Sequence, residues 1–115
     1  VAFDADTSAS SYLLWLRLNI SGEDIQYASG RDLVRWQPPH PDEADAPHRI
    51  FLVVLHQSLG EIDISKLKII SKSSREDRTN FSLYEFMSKH NMRHVIGANC
   101  WRVAFDKEVV PRIVK

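Results

Sequence analysis

The feature that most constrains this chain is the run His48-Arg49-Ile50-Phe51-Leu52-Val53-Val54-Leu55, approached through Pro47. Six apolar residues follow the His-Arg pair, the valines Val53 and Val54 among them. This composition predicts a strand buried on both faces. Two ionisable side chains at the mouth of a buried strand are costly unless they are paired or used in chemistry. The pair therefore marks where partners should be sought.

The remaining segments can be ordered around that strand. Tyr12 to Ile20 is apolar and is followed by Ser21-Gly22-Glu23-Asp24, which predicts a strand ending in a turn. Asp4 to Ser11 is polar, and Gln26 to Pro47 is expected to be irregular, because Pro38-Pro39, Pro41 and Pro47 suit neither a helix nor a central strand. Lys66-Leu67-Lys68-Ile69-Ile70 alternates like a partly exposed edge strand, and Ser71 to Asn80 reads as a surface loop. Ser82 and Glu85 form an S-x-x-E capping box with Phe81 and Phe86 at the staple positions, predicting a helix from Leu83 to about His90. Its apolar face is Leu83, Phe86 and Met87, and Asn91 is its stop. Asn99 to Phe105 reads as a strand with Trp101, Val103 and Phe105 on one face. Asp106 is placed to cap a terminal helix that carries Pro111 in its early turns. Many strands and two short late helices predict a mostly β sandwich.

At 115 residues the chain is one domain by size. Fifteen basic residues balance fifteen acidic ones, so no overall charge drives it toward RNA or an anionic membrane. The local exception is the stretch holding Lys66, Lys68, Lys72, Arg75 and Arg78 against only Glu76 and Asp77. A single cysteine, Cys100, excludes an internal disulfide and fits a reducing compartment. No apolar run is long enough for a transmembrane helix. The start Val1-Ala2-Phe3 has neither an initiator Met nor a signal-peptide layout, as expected of a processed chain or a piece of a longer one.

Four stretches, in order, resemble the phosphatidylethanolamine-binding protein (PEBP) family, which includes the Raf kinase inhibitor proteins. Asp4-Ala5-Asp6-Thr7 resembles its Asp-Pro-Asp-x-Pro loop with both prolines lost. Tyr12 to Ile20 with Ser21-Gly22-Glu23-Asp24-Ile25 resembles its aromatic-to-Asn strand and turn, and His48-Arg49 its His-Arg-Tyr segment. Phe81 to Asn91 with Gly97-Ala98-Asn99 resembles its last helix, loop and strand. The resemblance implies a PEBP-like β-sandwich with short C-terminal helices. Residues 1–115 would form the later part of one domain, the family's N-terminal strands being absent from it.

The family's pocket receives a phosphate or similar anion on histidines held by carboxylates. Carried over by position, Asp4, Asp6 and His48 are retained. A second pocket histidine falls at Leu14, an aromatic wall at Ile50, and a Gly-x-Gly at Ala44-Asp45-Ala46. The pocket has lost donors and gained an acid, so it is expected to be vestigial, and phospholipid headgroup binding is not expected. His48 is then either a remnant of the pocket or a structural histidine. Arg49 either pairs with Asp4 or Asp6 as a buried ion pair or captures an anion directly. Asp4-x-Asp6 and the His90/His94 spacing are too sparse for metal sites, and no nucleophile-histidine arrangement or phosphate-cradling glycine loop stands out. No enzyme, metal or cofactor is expected.

Within the family, Tyr12-Leu13-Leu14-Trp15-Leu16 and Asn19-Ile20 resemble most the branch found in the large subunit of mitochondrial ribosomes. That implies a mitochondrial structural protein contacting neighbouring ribosomal proteins and ribosomal RNA, the latter through Lys66, Lys68, Lys72, Arg75 and Arg78. The alternative is a soluble, cytoplasmic phospholipid-binding or kinase-regulating protein, which needs a working anion pocket.

Overall fold

A computed structural model describes residues 1–8, 10–23 and 29–106. Strands β1 (Ala2–Thr7), β2 (Ser10–Leu18), β3 (Arg31–Val34), β4 (His48–Leu55) and β5 (Val95–Val103) form one antiparallel sheet in the order β3-β2-β1-β4-β5. Between β4 and β5 lie two 3₁₀ turns, Ile64–Lys66 and Glu76–Arg78, and the helix α1 (Leu83–Lys89). The protein is mostly β. Among the described residues the strands make a single sheet, not two facing ones.

Leu13 and Leu14 are consecutive in β2 and both buried, so their side chains leave the strand on opposite faces. On one face, Leu13, Leu16, Leu18, Val34 and Met92 are buried under Phe81, Phe86, Met87 and other residues of the β4–β5 connection. On the other, Ala2, Leu14 and Ile50 pack with Tyr12, Trp15, Leu52 and Val103. The candidate anion-site residues lie at the end of this second cluster.

Three sequence expectations change. Asp4 to Thr7 is not a loop but the end of the central strand β1, paired to both β2 and β4. With neither proline of the family's loop present, every N–H there can join a ladder or a side-chain bond. The irregular 26–47 segment contains β3, which starts after Gly30 at φ +85. A Cβ at Gly30 would lie 2.9 Å from Ile20 Cγ1 and 3.0 Å from the Leu18 carbonyl oxygen, so the close approach suits glycine. The edge strand expected at Lys66–Ile70 is instead the Ile64–Lys66 turn followed by one isolated bridge, Val34 to Ile70. Asp63 diverts the chain, accepting bonds from Ser65 N–H at 3.1 Å and Ser65 Oγ at 2.6 Å.

The strand at His48 forms, but it is not buried on both faces. Arg49 is exposed and so is Val54, because β5 beyond it is exposed along nearly its whole length. β5 begins at Val95, four residues before the expected start, and ends short of Phe105. The helix forms as expected. Ser82 Oγ accepts the Glu85 N–H at 3.2 Å, the Phe81 and Phe86 rings lie 6.2 Å apart, and Asn91 adopts φ 54 just beyond the end. The terminal helix expected after Asp106, and the turn residues Asp24 and Ile25, lie outside the described residues.

Candidate anion site and basic surface

Register brings the acids to the histidine. Asp4 on β1 lies opposite Ile50 on β4, so His48, two residues before Ile50, emerges on the same face. His48 Nδ1 is 2.7 Å from Asp4 Oδ2, with both side chains buried. Its other nitrogen, Nε2, is 3.2 Å from Oδ2 of Asp45, on the loop before β4. With a carboxylate at each nitrogen, the matched species is an imidazolium donating from both. Burial alone would lower the pKa of His48. The bond and charge of Asp4, then the charge and bond of Asp45, carry it above the ordinary value of 6.5.

Asp4 also accepts the Asp6 N–H through Oδ1 at 2.9 Å. Asp6 then receives Arg49 three times: the backbone N–H at 2.8 Å, Nε at 2.9 Å and Nη2 at 2.8 Å. These hydrogen bonds hold the Asp6 carboxyl well below the usual carboxylate range. Asp6, not Asp4, is thus the partner of Arg49. The expectation of a buried pair is corrected: the Arg49 side chain is about half exposed (52%) and lies over the Phe51 ring. Edge-side β5 gives it little cover.

Leu14 and Ile50 fill the neighbouring space, exposed by only 1% and 0%. Neither can donate to an anion. Beyond His48 an open cleft of about 470 Å³ is lined by Asp6, Asp45, Ala46, Pro47, His48, Arg49 and Arg102. Arg102 is a site residue that the sequence did not point to. It comes from β5 and lies directly across the ladder from Arg49, a pairing that only the register discloses. A larger cavity of about 650 Å³, lined by Asn19, Gly30, Arg31 and residues 61–65, contains no histidine or cysteine and lies apart from these coupled groups. The smaller cleft is therefore the candidate site. Among the described residues no cluster of His, Cys, Asp and Glu is arranged to hold a metal ion.

The basic stretch is divided. Lys66 lies 4.0 Å from Asp63 and Lys68 3.0 Å from Asp77, while Lys72 and Arg75 are exposed. Arg78 is removed from any contact surface, being completely buried. Its guanidinium donates to the carbonyls of Ser74 at 2.7 Å, Leu13 at 3.2 Å, Leu14 at 3.0 Å, Arg35 at 2.7 Å and Ser71 at 2.8 Å. Burial lowers its pKa from the ordinary 12.5. Sequence alone could not separate Arg78 from Arg75, because both sit in the same polar run. Among the described residues no helix is long and apolar enough to cross a membrane.

No family model matches the chain, and the comparison with curated proteins gives no match. Among solved structures the chain is similar to "CG7054 solution structure", with 25% identity and a TM-score of 0.71. The match covers 97% of this chain and 64% of that one, so this chain spans less than two thirds of that structure's length. The likeness accords with the mostly β architecture.

Proposed function

We propose that this chain is the later part of a PEBP-like domain serving as a structural component of the mitochondrial large ribosomal subunit. In this reading it docks on neighbouring ribosomal proteins and RNA, catalyses nothing and needs no cofactor. One observation carries it: the retained Asp4–His48 pair no longer presents a donor to an outside anion. Asp45 takes the second imidazole nitrogen, and buried Leu14 and Ile50 fill the adjoining positions. A closed site suits a domain kept for its surfaces. The order of the four family-like stretches and the exposed Lys72 and Arg75 support the reading further.

Calorimetric titration with phosphorylethanolamine should show no saturable heat in the micromolar range. Saturable heat there would replace this reading with that of a headgroup-binding or kinase-regulating protein. In the same preparation, the chain should co-sediment with mitochondrial large subunits. The joint substitution Lys72→Glu with Arg75→Glu should weaken that association without changing the unfolding midpoint. Lys68 is left alone because its charge is paired with Asp77.

A further inference from the structure

The sheet has two edges, and only one of them is closed. β3 is four residues long and is covered by Ile70, whose N–H donates to the Leu33 carbonyl at 2.8 Å. The Ile70 carbonyl in turn accepts the Arg35 N–H at 3.2 Å. β5, at the other edge, runs nine residues from Val95 and is exposed at every residue before Val103. It carries neither proline nor lysine, the residues that commonly blunt such an edge.

The ladders decide which backbone groups of β5 lie open. Val53 exchanges bonds with Val1, so it faces β1, and by alternation Ile50, Leu52 and Val54 face β5. Their partners Trp101, Asn99 and Gly97 face back toward β4, which leaves Ala98, Cys100 and Arg102 directed outward. The Cys100 N–H agrees, since it donates to the side-chain oxygen of Asn99 at 2.8 Å and not to β4. Among the described residues nothing bonds the outward N–H of Ala98 or Arg102.

The two faces of this edge differ in chemistry. Trp101 and Val54 lie on the face of Ile50 and are 40% and 52% exposed. Arg102 lies on the opposite face, across from Arg49. Asp6 neutralises Arg49, and among the described residues no salt bridge reaches Arg102. Residues 46–60 and 86–105 contain no Asp or Glu. A second copy would therefore bring two acid-free, arginine-bearing edges together, which like charges oppose. A strand that alternates carboxylate and apolar side chains suits both faces at once.

We propose that the outer edge of β5 receives an extended segment of a partner protein as a sixth strand, with carboxylates beside Arg102 and apolar side chains beside Trp101. The inference rests on the docking reading above and names the chemistry of the protein partner. Backbone bonds give such strand addition its affinity, and alternate side chains give it specificity. The Asn99 side chain swings off the Cys100 N–H as an incoming carbonyl replaces it.

The test titrates the full chain with a capped octapeptide of alternating Glu and Val, followed by backbone amide NMR. The amides of Ala98, Cys100 and Arg102 should shift saturably and exchange more slowly with solvent, while those of Asn99 and Trp101 keep their protection. An octapeptide of alternating Lys and Val should bind at least roughly tenfold more weakly, and Arg102→Glu should reverse that order. A Glu-Val octapeptide N-methylated at every residue keeps its charges but has no N–H to donate, and should not bind. These peptide controls leave the protein unaltered, so its folding does not enter. Outward amides unmoved by the octapeptide up to about 1 mM overturn the proposal, as does equal binding of the N-methylated form. So does a response of those amides to a single-stranded oligouridylate and not to the octapeptide, which would assign the edge to RNA. A concentration-dependent dimer that protects them would assign it to a second copy and overturn the proposal too. Failure of co-sedimentation with mitochondrial large subunits would instead defeat the ribosomal reading, so the two failures are distinct.

Discussion

His48 and Arg78 are both buried basic side chains, and the two are satisfied in opposite ways. His48 lies between two carboxylates, one from the central strand and one from an exposed loop. Among the described residues no carboxylate is bonded to Arg78, which is solvated by five backbone carbonyls drawn from β2, from Arg35 just after β3, and from its own loop. A carboxylate cancels charge but leaves the group titratable and its partner exchangeable. Carbonyl dipoles spread over several segments fix the chain without reference to pH. The first arrangement has the form of a site, and the second has the form of a fastener. Leu14 links the two: its side chain packs with Ile50, two residues along β4 from His48, and its carbonyl accepts from Arg78.

The difference is open to breakage, and the largest effect should come from Arg78. Arg78→Met would remove the guanidinium donor from the carbonyls of Leu13, Leu14, Arg35, Ser71 and Ser74, of which Leu14 and Ser71 keep a backbone donor in the Gln37 and Ser74 N–H groups. Each such loss costs about 1–3 kcal/mol, and with relaxation we expect about 3–5 kcal/mol in urea unfolding. Arg78→Lys should recover only part of this, since an ammonium has three donors and no planar fork. A loss below about 1 kcal/mol would mean that Arg78 is solvated, and would return it to the basic surface.

Asp4→Asn should come next, at about 2–3 kcal/mol near neutral pH, because it strips the buried His48 of its closer counter-charge. The sharper distinction is pH. The His48 pKa is raised in the folded state, so its contribution is fully present below 6.5 and is lost as pH rises through the folded value. The penalty of Asp4→Asn should therefore shrink toward alkaline pH, while that of Arg78→Met stays constant. Asp6 runs the other way: its pKa is depressed, so its contribution is present above the ordinary 3.8 and is lost as pH falls below it. A pH-independent Asp4→Asn penalty would show that His48 is neutral in the fold.

How far these two groups could be read in advance follows from their distance in sequence from what holds them. The His48 strand, the Tyr12 strand and the Ser82 cap are local patterns and were legible. Asp4, Asp6 and His48 could be grouped by resemblance, but which acid meets which base depends on the β1–β4 register, set by side chains more than forty residues apart. Arg102 was hidden for the same reason. Arg78 was misread because its partners are carbonyls, and a backbone acceptor leaves no mark in a sequence. The Lys66–Ile70 alternation misled because Asp63 offers the chain a local turn that outcompetes a ladder with a single partner residue.

The smallest effect sharpens the comparison by supplying a contact with no buried charge. Ser82 Oγ accepts the Glu85 N–H at the start of α1, and the bond is exposed enough that water can replace it. The helix itself is held by Phe81, Phe86 and Met87 packing onto the sheet, which Ser82→Ala leaves intact. Only the cap is lost, so the expected cost is about 1 kcal/mol, with no dependence on pH. Ser82→Thr should keep most of the stability, because its hydroxyl can still cap. If Ser82→Ala left the unfolding midpoint unchanged, the cap would contribute nothing and the aromatic staple alone would set the start of the helix. If instead it cost as much as Arg78→Met, α1 would have to be part of the same unit that Arg78 fastens, and the separation of site from fastener would need to be redrawn around the whole β4–β5 connection.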